Sequence, residues 1–161
     1  MLKLKIDTVT FDELSQMGIV LLVADDDKRA LPIWIGLFEA QAILFKLQNS
    51  YFPRPLTHDL LKNCIEKLDG KIDCIVISDI SKNTFIAELH ISSKGKEIVI
   101  DSRPSDAIAL AVRVEIPIYV NENVFEKGSV DKEKFIKEQK ERIYKTYLES
   151  LDDEDVGKLK H

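Results

Sequence analysis

The chain has 161 residues, of which 45% are apolar and 32% are charged, and its 23 basic and 28 acidic side chains give a formal net charge of −5. This composition is typical of one ordinary globular domain and excludes a disordered, collagenous or low-complexity protein. The acidic balance argues against a high-affinity binder of duplex DNA, because such proteins draw most of their affinity from neutralising phosphates with Lys and Arg. It does not exclude a nuclease, which needs only a local basic strip.

The apolar segments are too short for a membrane protein. The longest of them, residues 33–47, is interrupted by a glycine and three polar side chains, whereas a membrane span needs roughly 20 apolar residues. The first residues alternate in polarity and predict no secretory signal, so we expect a cytoplasmic protein without membrane contact. The two cysteines, Cys64 and Cys74, lack CxxC spacing and lie in apolar patterns, which predicts buried, reduced thiols.

The first third of the chain predicts three strands followed by a helix. Residues 2–8 alternate between apolar and polar side chains with the period of a half-buried strand. Residues 18–24 and 30–35 are short apolar runs on either side of the acidic residues 25–27, which predicts a hairpin with a solvated turn. Residues 36–49 take helical spacing, and their wide apolar face predicts burial against a sheet.

The segment YFPRP predicts a rigid connector to a second helix. Pro53 and Pro55 exclude a helix there, because proline lacks an N–H donor and holds the residue before it in an extended conformation. Thr57 is the predicted cap of the second helix, in which apolar residues recur at helical spacing until Gly70 ends it.

The second half of the chain predicts three consecutive antiparallel strands, because turn-forming residues separate three β-rich runs. These strands are expected at residues 72–77, 84–90 and 97–100. A third helix is expected to begin near Pro104, since proline at the first helical position loses no hydrogen bond. A short last strand is expected at residues 117–120.

The composition changes after Gly128. Residues 131–151 are dense in charge, with apolar side chains recurring every 3.6 residues, which predicts an amphipathic helix. We therefore divide the chain into a domain at 1–128, a C-terminal helical segment at 129–151 and a frayed acidic and basic tail at 152–161. The apolar side of the helix either folds back on the sheet or pairs with a second copy, which would make the protein a homo-oligomer.

Two arginines stand at predicted helix starts. Arg54 and Arg103 each precede a proline, beside unpaired backbone N–H groups and the positive end of a helix dipole. This arrangement suits an anion, and the planar guanidinium suits phosphate. Alternatively, Arg103 simply pairs with Asp101 or Asp106, which would stabilise the helix start without any ligand.

Side chains suited to phosphodiester cleavage surround these arginines. Carboxylates bind Mg²⁺ or Mn²⁺, the metal polarises the phosphate, arginine neutralises the developing charge and histidine transfers a proton. The candidate catalytic residues are Glu39, His58, Asp59, Asp101 and Asp106, the candidate metal ligands are Glu39, Asp59, Asp101 and Asp106, and the candidate phosphate-binding residues are Arg54, Arg103 and Ser105. No organic cofactor is predicted, because the chain has neither a P-loop nor a dinucleotide glycine pattern.

Three longer strings contain the candidate residues in a fixed order. They are LPIWIGLFEAQAI at residues 31–43, FPRPLTHDLL at 52–61 and IDSRPSDAIALAVR at 100–113. Together they resemble the bifunctional nuclease family of bacterial and plant domains, and the resemblance covers about residues 1–125. It implies a single-domain α+β roll with a mixed, strongly curved sheet and three packed helices, to which the C-terminal amphipathic helix is added. It also implies cleavage of both RNA and DNA.

Three functions remain open on the sequence. The first is a metal-assisted nuclease of low sequence specificity that holds nucleic acid weakly and releases it at moderate salt. The second is a non-catalytic domain whose helix starts bind a phosphate, a nucleotide or an acidic partner segment. The lack of any segment that groups basic with aromatic residues favours this second function. In the third, the Arg, Asp and His side chains form a closed polar network that binds no ligand.

Overall fold

Two antiparallel meanders meet at a short strand and form one eight-stranded sheet. In the computed structural model, which describes residues 1–12, 16–25 and 28–158, the strands are β1 (Leu2–Asp12), β2 (Met17–Ala24), β3 (Arg29–Gly36), β4 (Gly70–Ser81), β5 (Thr84–Ser93), β6 (Lys96–Ser102), β7 (Ile118–Val120) and β8 (Val130–Asp131). Their order across the sheet is β6-β5-β4-β7-β1-β2-β3-β8. All neighbouring strands are antiparallel except β4 and β7, which are parallel.

The helices are α1 (Leu37–Leu47), α2 (Thr57–Lys67), α3 (Pro104–Val114), α4 (Glu122–Gly128) and α5 (Lys132–Lys158). Helix α3 contacts both α1 and α2, and it packs on β4 and β5. Seven of its 11 residues are buried, because its alanine-rich sequence lets its neighbours approach closely. The mixed sheet and the packed helices confirm the predicted α+β class.

Strand β2 is buried on both of its faces, which explains why its sequence is continuously apolar rather than alternating. Val20 and Leu22 belong to the main core beside α1 and α3. Leu21 belongs to a smaller cluster on the other face, where Phe135 and Ile136 of α5 pack against it. The first part of the C-terminal helix therefore folds back on its own sheet.

The C-terminal region differs from its prediction in three respects. The sequence did not predict α4 or β8, because both are shorter than the windows in which periodicity is visible. Asp131 is not the first helical residue; its carboxylate accepts the N–H of Lys134 at 2.8 Å. The helix does not end at Leu151 but continues to Lys158, since the acidic run contains no proline and its residues are tolerated in helices. Residues 159–161 of the expected frayed tail lie outside the described residues.

Other expectations are tested by the same structure. Of the described helices, none is both long and apolar enough to cross a membrane; the cytoplasmic location stays a prediction. Cys64 and Cys74 are free thiols, but Cys74 is only half-buried. The expected burial is wrong for Cys64, which is exposed because α2 lies at the surface and has no buried residue. In the acidic turn, Asp25 is exposed and pairs with Lys5 at 2.8 Å, while residues 26 and 27 lie outside the described part of the chain.

Gly18 fixes the distance between α1 and the sheet. A Cβ atom at Gly18 would lie 2.5 Å from Cβ of Ala40, so only glycine leaves room for the helix to cross β2 here. The neighbouring Glu39 is held at the start of α1 by the same crossing, which links this close approach to one of the candidate site residues.

We predict that Gly18→Ala lowers the free energy of unfolding by about 1–3 kcal/mol, because the added methyl overpacks the crossing. Urea unfolding of the single variants and of the pair Gly18→Ala/Ala40→Gly measures it. The double variant should lose less free energy of unfolding than the two single variants together, since Ala40→Gly removes the clashing atom. Strictly additive costs would show that the close approach does not govern the packing.

Candidate active site

The N-terminal ends of α1, α2 and α3 meet at one open cleft of about 580 Å³, here called the helix-start cleft. Glu39, His58 and Asp106 lie in the first turns of α1, α2 and α3, and Arg103 is the N-cap of α3. All four side chains line the cleft. The structure therefore brings together these four of the eight candidate residues.

The chain enters α2 and α3 in an extended conformation. Leu56 (ψ 174°) and Arg103 (ψ 143°) are the N-cap residues, and Pro104 occupies the first turn of α3 without losing a hydrogen bond. The predicted cap at Thr57 is wrong, because Asp59 reaches back and accepts the N–H of Leu56 at 2.9 Å. Helix α2 therefore begins with Thr57 already inside it.

Arg103 binds two carboxylates at once. Its Nε and Nη2 donate to the two oxygens of Asp106 at 2.7 and 3.1 Å, which is bidentate geometry. Its Nη1 donates to Oε1 of Glu39 at 3.1 Å. The side chain nevertheless stays 65% exposed, so this pairing does not close the cleft. Hydrogen bonds and charge from Asp106 first, and then from Glu39, raise the pKa of Arg103 above its ordinary value.

Asp106 also contacts His58, with 3.1 Å between Oδ1 and the imidazole Nε2. This contact orients the ring and favours the tautomer with its proton on Nε2, which leaves Nδ1 as an acceptor. Burial alone would raise the pKa of Asp106, but hydrogen bonds and charge from Arg103, followed by those from His58, outweigh burial and hold this pKa below its ordinary value. Asp106 is therefore ionised at neutral pH.

Asp59 belongs to a partly buried contact that we call the helix lock. Its Oδ1 accepts the Nε of Arg113 at 2.7 Å, and the Arg113 side chain is only 4% exposed. Arg113 also donates to the carbonyl oxygens of Ala109 and Ala42 at 2.8 and 3.2 Å, so it joins all three helices. Burial acts to raise the pKa of Asp59, but the Leu56 N–H and Arg113 outweigh it and lower the pKa. The Asp59 side chain is 37% exposed, so the closed-network hypothesis describes only the Arg113 end of this pair.

The other candidates lie at or beyond the edge of the helix-start cleft. Ser105 is 5% exposed and lines a neighbouring cleft of about 320 Å³ on the other side of the Glu39–Arg103 pair. Asp101 is exposed on the edge strand β6 and lines neither of these two clefts. Arg54 is exposed in the connector, directly before the residues of α2 that line the helix-start cleft.

The four candidate metal ligands do not form one group. Among the residues that the structure describes, no set of three or more His, Cys, Asp or Glu side chains is placed to hold a metal ion. Glu39 and Asp106 meet at Arg103, whereas Asp59 faces Arg113 and Asp101 stands on β6. Of the four predicted metal ligands, only Glu39 and Asp106 line the helix-start cleft.

Arg113 is not among the site residues that the sequence predicted. The available signal is a charged side chain inside the apolar run AIALAVRV, because an arginine that is buried in a helix requires an acidic partner. The identity of the partner could not be predicted, since Asp59 lies 54 residues earlier in the chain.

We predict that Arg113→Met lowers the free energy of unfolding at pH 7 by about 2–3 kcal/mol, because it leaves Asp59 without its charged partner. Arg103→Met, at the exposed pair, should cost about 1 kcal/mol or less. The folded-state pKa of Asp59 is lowered, so its contribution is complete above about pH 4, the ordinary aspartate range, and is lost as pH falls through the lowered value. The difference between wild type and Arg113→Met should accordingly narrow in acid.

Urea unfolding between neutral and acidic pH measures both effects. An Arg113→Met variant as stable as Arg103→Met would contradict the lock.

Comparison with known proteins gives the relatives of this chain. The family model described as "Bifunctional nuclease domain" matches residues 20–133. An uncharacterized protein of Mycobacterium tuberculosis is 36% identical over 85% of this chain and 87% of its own length. Bifunctional nuclease 2 of Oryza sativa subsp. japonica is 30% identical over 68% of this chain, and Bifunctional nuclease 2 of Arabidopsis thaliana is 29% identical over 65%. These matches span 34% and 32% of the two plant proteins. The predicted family is thus confirmed, and the chain belongs to the bifunctional nuclease domain family.

Proposed function

We propose that the chain is a hydrolase that cleaves phosphodiester bonds of RNA and DNA with low sequence specificity in the helix-start cleft. The observation that carries this proposal is the meeting of Glu39, His58, Arg103 and Asp106 in one open cleft, in a chain of a nuclease family. Arg103 is the anchor for phosphate, and His58 is the acid–base group.

Arg103 is suited to bind a phosphodiester while it stays paired. A guanidinium has five N–H groups, and three of those on Arg103 donate to Asp106 and Glu39. Within the described part of the chain the other two have no acceptor, and the exposed side chain offers them to the cleft. The two carboxylates hold the guanidinium in place, so little rotational freedom is lost when a phosphate oxygen binds.

His58 is suited to activate water. DNA has no 2′-hydroxyl, so a mechanism that serves both RNA and DNA uses water as the nucleophile. The water oxygen forms a bond to phosphorus, the ester P–O bond breaks, Nδ1 of His58 takes a proton from the attacking water, and the leaving oxygen takes a proton from a second water molecule of the solvent. Asp106 stabilises the resulting imidazolium through Nε2 at 3.1 Å.

The charge of the cleft supports metal assistance, which stays part of the proposal. Arg103 contributes one positive charge, whereas Glu39 and Asp106 contribute two negative ones, so an incoming phosphodiester needs further positive charge. Mg²⁺ is commonly held by one or two carboxylates together with substrate phosphates and water, and it would polarise the phosphate. Of the predicted ligands, Glu39 and Asp106 line the cleft and would hold it.

The same charge balance favours a second candidate function, in which the domain binds a phosphate, a nucleotide or an acidic partner segment without turnover. In that case the carboxylates around Arg103 limit affinity and no group activates water. Thermal shift with nucleotides, measured beside cleavage, distinguishes this function from hydrolysis.

We predict that His58→Ala and Arg103→Ala each lower the cleavage rate of single-stranded RNA and DNA by about 100-fold or more, because one removes the proton acceptor and the other the phosphate anchor. Cleavage is measured with Mg²⁺, with Mn²⁺ and with a chelator. A loss of activity in chelator that Mg²⁺ or Mn²⁺ restores would support metal assistance.

Matched controls guard against a contaminating nuclease. His90→Ala removes a histidine that binds Glu97 on the neighbouring strand, and Arg142→Ala removes an arginine of α5. Both variants should keep wild-type activity. Equal activity in wild type, His58→Ala and Arg103→Ala would contradict the proposed function.

We also propose that the protein forms a homo-oligomer through the distal part of α5. Phe135 and Ile136 pack on the sheet, whereas Tyr144, Tyr147 and Leu148 are exposed at spacings of three and four residues and share one side of the helix. A second copy would cover this apolar side.

Light scattering after size-exclusion chromatography, over a concentration series, tests the oligomer. We expect a dimer or larger assembly that Tyr144→Ser/Leu148→Ser dissociates, because these changes remove apolar area from the contact. The control Lys137→Ser/Glu141→Ser alters an exposed charged pair of the same helix and should leave the assembly intact. A monomeric wild type at every concentration would refute the oligomer.

A further inference from the structure

A second open cleft, also of about 580 Å³, lies at the C-terminal ends of α1 and α3. Its charged lining consists of Lys3, Lys5, Lys46 and Glu115. We call it the basic groove. Its three lysines come from β1 and from the end of α1, so no single segment of the sequence is basic. The fold brings these three lysines together although Lys46 is distant from the other two in the sequence.

Residues 48–56, here called the bridging loop, connect the basic groove to the helix-start cleft. Asn49 lines the basic groove, and Pro55 lines the helix-start cleft. Asn49 adopts a left-handed conformation (φ 52°), and the N–H of Ser50 donates to the carbonyl of Phe45 at 2.8 Å. This helix end reverses the chain, so the loop returns along α1 toward the helix starts.

The bridging loop presents aromatic and basic side chains along this path. Tyr51 is 87% exposed, and Arg54 is exposed beside the helix-start cleft. The ring of Phe52 packs against that of Phe45 on α1, with 5.0 Å between centroids, and two prolines stiffen the following residues. The loop is thus anchored on the helix while Tyr51 and Arg54 face solvent.

We infer that a single strand of nucleic acid binds along the bridging loop, from the basic groove to the helix-start cleft. Lys3 and Lys46 would bind its phosphates at one end and Arg54 near the other, and Tyr51 would stack on an unpaired base. Positive charge along the backbone combined with exposed aromatic faces is the chemistry that recognises single strands without sequence preference. A duplex fits this surface less well, because its bases are already stacked on each other.

The dimensions agree with a short stretch of strand. Glu39 and Lys46 are seven residues apart on α1, which corresponds to about 10 Å along the helix axis. A nucleic-acid strand advances about 3.4 Å per nucleotide in a duplex, so roughly three nucleotides would span the distance. The strand would therefore contact both clefts at once only when it is longer than a dinucleotide.

The inference rests on the proposed function, but binding and cleavage can be measured separately. Fluorescence anisotropy with labelled single strands of about 12 nucleotides, of RNA and of DNA, measures binding. The variant Lys3→Glu/Lys46→Glu reverses two charges of the basic groove. The matched control Lys137→Glu/Lys145→Glu makes the same change in total charge on α5, outside the groove.

We expect Lys3→Glu/Lys46→Glu to weaken binding of the long strand at least about tenfold and to reduce the salt slope of its affinity by about 1.4, at about 0.7 per lost phosphate contact. Tyr51→Ala should weaken single-strand binding and leave duplex binding unchanged. In Lys3→Glu/Lys46→Glu, cleavage of a dinucleotide should fall less than cleavage of the long strand, since a dinucleotide does not reach the groove. The control pair should bind the long strand almost as wild type does.

Three results would overturn the inference: equal weakening in the groove and control variants, no weakening in either, or duplex binding as tight as that of the single strand. These outcomes differ from a failure of the proposed function. Binding that depends on the groove, with no cleavage of any substrate, would refute the nuclease and leave the strand path standing. If cleavage of long strands requires His58 but none of the groove lysines, the strand path is refuted and the nuclease stands.

Discussion

The carboxylate of Asp106 is the contact on which the arrangement of the three helix starts depends. It accepts two hydrogen bonds from Arg103 within α3 and contacts His58 of α2, while Arg103 extends the connection to Glu39 of α1. Without an ionised group at this position, the histidine and the arginine would have no common partner. These contacts with Arg103 and His58 lower the pKa of Asp106.

A second Arg–Asp pair with a different role joins the same helices. The helix lock places Arg113 at 4% side-chain exposure, whereas Arg103 is 65% exposed. Removal from water makes the first pair costly to break, and access to water leaves the second able to exchange contacts with a ligand. The same two residue types thus supply rigidity at one pair and a binding group at the other, and the burial of the arginine decides which.

The sequence predicted the elements of the fold better than their boundaries. It also predicted the candidate site residues better than which of them line the helix-start cleft. Helix starts at Pro104 and after Pro55 follow from local chemistry, so the approach of His58, Arg103 and Asp106 could be anticipated. Burial and distant partners could not, because they depend on how elements pack. Asp59 follows an arginine-proline step at a helix start, as Asp106 does, but its partner Arg113 lies on another helix.

Net charge illustrates the same limit. A total of −5 suggests a poor partner for nucleic acid, but affinity for a strand depends on where the charges stand. Lysines from β1 and α1 share one groove with Glu115 although they are distant in sequence. Further acidic residues stand along α5 and in the turn after β2, where Asp25 pairs with Lys5 of the groove. Local charge on a shaped surface is therefore the relevant quantity, and only the fold reveals it.

In the proposed binding mode, the exposed Arg103, held by Asp106 and Glu39, binds the phosphodiester next to His58. A crystal structure of the protein with a non-hydrolysable phosphorothioate dinucleotide tests this mode. We expect the phosphorothioate group within hydrogen-bond distance of the Arg103 guanidinium, with the ring of His58 beside it and the contacts to Asp106 kept. A dinucleotide bound away from Arg103 would show that this guanidinium is not the phosphate anchor.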